Sequence, residues 1–173
     1  MTEDMESSWL DRLIKELGSS NGLARLQARE TLVAIGEPAL GSLVELLGDS
    51  EAQLRWEAAK ALTEIPEPAA IPGFIALLAD RRSEIGWLAA VGLINMGSRS
   101  VPYVLQALTG QAGSKAFRQA CHHVLNDLAK RNTVLQGILA PVVDVLGNVD
   151  PDAGVISSRA QVEMTELRAL SGG

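Results

Sequence analysis

The sequence predicts an all-α fold: a right-handed α-solenoid of about four stacked helix pairs, closed by a capping helix at each end. Three observations predict it. The stretch "RLQARETLVAIGEPA" (Arg25 to Ala39) returns as "RWEAAKALTEIPEPA" (Arg55 to Ala69) and, more loosely, as "GWLAAVGLINMGSRS" (Gly86 to Ser100). Leu32, Leu62 and Leu93 stand 30 and 31 residues apart, and the residues around them agree in character. Aromatics make up only 3% of a chain that is 47% hydrophobic, so the core is aliphatic, which favours close-packed helices over sheets.

Taken in order, the chain opens with a cap expected over residues 5–18. Trp9, Leu13 and Leu17 fall at i, i+4, i+8, and Ser8 is placed to cap the helix. Four units follow, at 22–50, 51–81, 82–112 and 113–150. In the first helix of each, Ala28, Ala58, Ala89 and Cys121 match, then Leu32, Leu62, Leu93 and Leu125, then Ile35, Ile65, Met96 and Leu128. These sets lie at i, i+4, i+7, one stripe of a helix. Gly36, Pro66 and Gly97 end these helices, since Gly accepts the left-handed conformation past a C-terminus and Pro forbids continuation.

The second helices carry denser stripes. Leu40, Leu43, Leu46 and Leu47 match Ile71, Phe74, Leu77 and Leu78, then Val101, Val104, Ala107 and Leu108. Pro38, Pro68 and Pro102 stand near their starts, where a missing N–H costs nothing. Ser50 with Gln53 reads as a capping box opening the second unit. "AKRNTVLQGILAP" (129–141) reads either as one helix kinked at Pro141 or as two short ones. A closing helix at 152–170 carries Ile156, Ala160, Glu163, Leu167 and Leu170 on one side, with the glutamate as its one polar interruption. The final Ser171-Gly172-Gly173 is expected to be unstructured. Neither helix of a unit buries its stripe alone, so neighbours must stack into one core.

The balance of charge narrows the function. Fifteen basic and 21 acidic residues leave a formal charge of −6, and the arginines and lysines are scattered among acids. Binding to a phosphate backbone draws its affinity from a basic face, so nucleic acid is disfavoured. The acidic start "MTEDMESS" is unlike a signal peptide, and no apolar run spans a bilayer, so the expected location is cytoplasmic. One cysteine permits no internal disulfide and suits a reducing compartment.

No reactive constellation emerges, and no catalytic, cofactor or metal residue is assigned. "CHH" (Cys121, His122, His123) offers zinc-ligand types, yet consecutive helical residues diverge by about 100° and do not converge on one ion. Cys121 also holds the small-residue core slot. His123 is placed to hydrogen-bond Asp127 at i+4.

The candidate partner-binding residues are Leu88, Val91, Tyr103, Trp56, Trp87, Glu45 and Gln106. Trp56 and Trp87 share a slot with Leu26, and inter-repeat packing is the favoured role for that slot, an aromatic ladder the rival one. Gln27, Glu30 and Ala34 in unit one match Glu57, Lys60 and Glu64 in unit two. In unit three the same face becomes Leu88, Val91 and Asn95, an apolar patch for a partner, a second copy of the chain, or the chain's own last helix to cover. An inner surface of second helices would present Ser42, Glu45, Gly73, Ala76, Tyr103 and Gln106. Arg25, Arg55 and Arg118 recur at one position, with Asp49 placed to meet Arg55.

The pattern "(V/L)R..A...L..IG.PA...L..LL" resembles the short HEAT-like repeats also found in phycobilisome lyase subunits. It stands here as "ARLQARETLVAIGEPALGSLVELL" and "LRWEAAKALTEIPEPAAIPGFIALL", and the resemblance covers residues 22 to 147. It implies the solenoid and is nearly silent on function. The expected role is a non-enzymatic protein-interaction scaffold, without cofactor, nucleic acid or membrane. The alternative is a bilin lyase or isomerase subunit acting with a partner chain. A HEAT-like DNA-repair glycosylase needs a basic concave face that the charge balance does not supply.

Overall fold

The computed structural model describes residues 2–112, 114–148 and 151–171, and within them the chain is helix and turn without a strand. Helix α1 (Thr2–Glu16) precedes four helix pairs: α2 (Gly22–Ile35) with α3 (Glu37–Leu46), α4 (Ala52–Glu64) with α5 (Ile71–Leu77), α6 (Ser83–Asn95) with α7 (Val101–Gln111), and α8 (Lys115–Arg131) with α9 (Thr133–Leu146). Helix α10 (Ala153–Ser171) closes the chain. Ser8 lies inside α1 rather than capping it, because that helix begins earlier than its apolar spacing. Ser171 belongs to α10; Asp150, Gly172 and Gly173 lie outside the described residues.

The predicted stripes form the core. Ala28, Leu32, Ala58, Leu62, Ala89, Leu93, Cys121 and Leu125 are buried, and so are Leu43, Leu47, Phe74, Val104 and Leu108 opposite them. First helices stack in succession, α2 on α4, α4 on α6, α6 on α8, giving one continuous interior. Gly36 and Gly97 end α2 and lead out of α6 at positive φ of 71° and 63°, a region that glycine enters without strain. Asn132 separates α8 from α9: its Oδ1 accepts the Val134 and Leu135 N–H groups, and α9 then runs through Pro141. The break therefore falls where a capping side chain stands, not at the proline.

Arginines tie each unit to its neighbours. Arg25, Arg55 and Arg118 each donate to a backbone carbonyl six residues upstream: Ser19 at 2.7 Å, Asp49 at 2.9 Å and Ala112 at 2.8 Å. Arg25 also reaches Glu57 of the following unit at 3.1 Å, and Arg55 reaches Asp80, in the turn that leads to the following unit, at 2.8 and 3.2 Å. The acid met by Arg55 is thus Asp80, not the Asp49 carboxylate. Asp49 Oδ1 is occupied by the Glu51 N–H at 2.7 Å, in a turn that takes over the opening of α4, so the Ser50–Gln53 capping box does not form.

Helix α10 does not simply extend the stack. It packs on α7 and α9, the second helices of units three and four, and Ser157 Oγ donates to the Thr109 carbonyl at 3.0 Å. Ile156, Ala160 and Met164 are buried there, whereas Leu170 is exposed.

Candidate interaction surface

Helical rotation decides which side chains reach solvent. Leu26, Trp56 and Trp87 sit two residues before the core alanines Ala28, Ala58 and Ala89, about 200° around the helix, so their slot faces outward. Trp87 is 60% exposed and Leu26 is exposed as well. Trp56 is half-buried, with the Arg29 guanidinium 5.5 Å from its ring centroid, a cation–π contact. The packing role favoured for this slot holds in part for Trp56, which packs against the core, and is corrected for Leu26 and Trp87, where apolar character did not mean burial.

Leu88 is corrected in the opposite sense. It is 4% exposed, covered by its own chain, and Val91 is half-buried. The slot faces the preceding unit, as Glu57 shows: at 2% exposure that carboxylate accepts from Arg25, Arg29 and Gln53. In unit two the position of Arg29 is taken by Ala59, so a carboxylate at 88 would lack its second cation, and a leucine stands there instead. Asn95 donates its amide to the Thr63 carbonyl at 2.9 Å, a further tie to the preceding unit.

On the second-helix side, Glu45, Ala76, Tyr103 and Gln106 are exposed, Tyr103 at 49%. Ser42 and Gly73 are half-buried. Gly73 is pressed by Leu47: a Cβ there would meet Leu47 Cδ1 at 2.5 Å. The Gln106 amide donates to Thr109 Oγ1 at 3.2 Å. Because α10 lies on α7 and α9, this surface is open in units one and two and partly occupied beyond them.

Cys121 and the two histidines do not converge. Cys121 is fully buried, and burial pushes its thiol far above the usual range, so it is not a nucleophile. His122 is half-buried near Gly147, and His123 is exposed on the outer side. Asp127 pairs with Arg131 one turn on, not with His123.

Two concavities flank α6 on the outer side. One, of about 330 Å³, has a mixed lining that includes Arg25, Gln53, Trp56, Glu57, Arg82 and Ile85. The other, of about 320 Å³, runs between α6 and α8; Trp87, Ala90, Ala116, Gln119, Ala120 and His123 line it. The sequence carried no sign of this second groove, since its lining is small residues drawn from separate helices. No helix among the described residues is long and apolar enough to cross a membrane.

Stacked helix pairs with buried stripes, inter-unit arginines and an exposed outer row define an α-solenoid repeat protein. A model of HEAT repeats matches residues 10–86 and again 41–126, and the chain belongs to the HEAT-repeat family. Among solved structures, the chain is similar to the complex of CpcE and CpcF of phycocyanin lyase from Nostoc sp. PCC7120, with a TM-score of 0.61 and 22% identity over 91% of this chain and 98% of that one. A designed armadillo repeat protein in complex with the peptide (KR)4 follows at a TM-score of 0.46 and 15% identity, covering 94% of this chain and 84% of that one. A comparison with curated proteins finds no match.

Proposed function

We propose that the chain is a non-enzymatic interaction module that holds a protein partner on the exposed surface of its helix stack. One observation carries the reading. The chain has three Trp, one Tyr and two Phe, and Trp9, Trp87 and Tyr103 leave large parts of their rings in water while both phenylalanines are buried. A chain with six aromatics that spends three on its surface favours contact with another molecule, where Trp and Tyr supply most of the binding energy.

The test is retention of the partner from the native cell by Trp87→Glu and Tyr103→Glu variants of unchanged circular dichroism. The reading expects a protein held by the parent chain and lost by at least one variant. No protein held by the parent contradicts it.

The second reading, a bilin lyase-type subunit, is favoured by the near full-length likeness to a subunit from the phycocyanin lyase complex. That likeness supports the fold and adds no bilin-holding residue. A change in absorbance or fluorescence on mixing the chain with a bilin would support this reading; an unchanged spectrum removes it.

A further inference from the structure

The groove between α6 and α8 combines three properties that together select an occupant. Much of its lining is small, Gly86 and Ala90 on α6 and Ala116 and Ala120 on α8, with Leu78 and Asp80 also lining it. Gly86 lets the backbone come close there: a Cβ would stand 3.1 Å from the Leu78 carbonyl oxygen, tighter than an ordinary contact. Beside these residues stands the exposed ring of Trp87. An apolar recess walled by an unburied indole is suited to an aliphatic side chain, which would cover both at once.

Charge supplies the second half of the argument. The nearby carboxylates are already committed: Asp80 to Arg55, Glu84 to Arg82 at 3.4 Å, and Asp127 to Arg131. Arg81, whose charge is felt by the neighbouring Asp80 without a direct ion pair, and Lys115, next to Ala116, are exposed. His123 adds a donor on the rim. The N-terminal turns of α6 and α8 lie toward the same cations, and their dipoles carry the same sign. On a chain of net charge −6, this is a local excess of positive charge around an apolar recess.

We propose that this groove binds an acidic segment of a partner protein, with one aliphatic side chain seated against Trp87 and its carboxylates over Lys115 and Arg81. The proposal rests on the interaction-module reading and names the chemistry of what that module takes. Apolar burial supplies the affinity, and the flanking charges set orientation and partner choice.

The test is a nitrogen-15 NMR titration of the intact chain with the acetylated, amidated peptide Glu-Asp-Glu-Leu-Leu-Glu-Asp. Two control peptides carry alanine for leucine or lysine for every acid. Expected are saturable shifts confined to α6, α8 and the turn between α5 and α6, weakened by added salt. Affinity should fall about tenfold for the alanine peptide and for the Trp87→Ala and Lys115→Glu variants, and more for the lysine peptide. Shifts elsewhere on the chain, or equal affinity for the parent and both variants, overturn the groove and leave the wider reading standing. So does failure of the peptide to bind while the native partner is still retained. Concentration-dependent shifts on the same amides without peptide, with a doubled mass, would assign the groove to a second copy and overturn the proposal. Loss of the native partner from the parent chain is the separate result that removes the reading beneath it.

Discussion

Arg55 on α4 holds Asp80, in the turn before α6, through two hydrogen bonds of 2.8 and 3.2 Å, and the same guanidinium donates backward to the carbonyls of Asp49 and Ser50. One side chain thus joins three successive stretches of the chain. Both partners are largely buried, so losing either strands the other's charge. Arg55→Ala and Asp80→Ala are each expected to lower unfolding free energy in urea by about 2–3 kcal/mol, with the double variant costing about 1–2 kcal/mol less than their sum. Additive losses would mean that the pair is not coupled.

Acid acts on Asp80 in a definite direction. Burial alone would raise its pKa, but hydrogen bonds from Arg55 and from the Arg82 N–H, with the charges of Arg55 and Arg81, bring it below the ordinary 3.8. The folded state therefore binds this proton less readily than the unfolded chain. Its contribution is present above pH 3.8 and is lost as pH falls toward the folded value. Asp80→Asn should remove that part of the acid sensitivity.

Glu163 has the opposite sign. It is 1% exposed between α10 and its neighbours, and burial raises its pKa above the ordinary 4.5; Arg159, at 3.0 Å, only partly offsets this, and Glu166 adds to the rise. Between pH 4.5 and that raised value the folded state binds more protons, so stability falls as pH rises through the window. Glu163→Gln is expected to flatten thermal stability against pH there and to raise stability at neutral pH. A variant with the parent's pH profile would show that the carboxylate is solvated.

Two glycines in helices should respond in opposite directions to alanine. At Gly92 on α6 a Cβ would meet the buried Phe74 ring at 2.4–2.8 Å, so Gly92→Ala is expected to cost about 1–3 kcal/mol despite the better helix propensity. Nothing lies within 4 Å of a Cβ at Gly137 on α9, so Gly137→Ala should gain about 0.5–1 kcal/mol. Differential scanning calorimetry of the two variants reads both signs.

What was legible in the sequence was periodic. Ala58, Leu62 and Ile65 declared a buried stripe because their spacing matches a helix turn, and the partners of such a stripe need not be known for it to be found. Trp87 was misplaced because its slot was read from the apolar Leu26 and not from its angle to Ala89, which turns it to solvent. Leu88 looked like an open patch because the acid in the same slot, Glu57, resembled a solvated residue; only the packed arginines of the preceding unit reveal that slot as interior. The docking of α10 on α7 and α9, like the groove beside Trp87, arises between segments far apart in the chain, where no local spacing records it.

The central claim is that the exposed surface of the stack, at the groove between α6 and α8, is where a partner is held. Amide hydrogen exchange of the chain, alone and with the partner it retains, measures this most directly. The account predicts slowed exchange in α6, α8 and the turn carrying Arg81, with α2 and the body of α10 unchanged. Protection absent from α6 and α8, or concentrated on the second helices of units one and two, would contradict it.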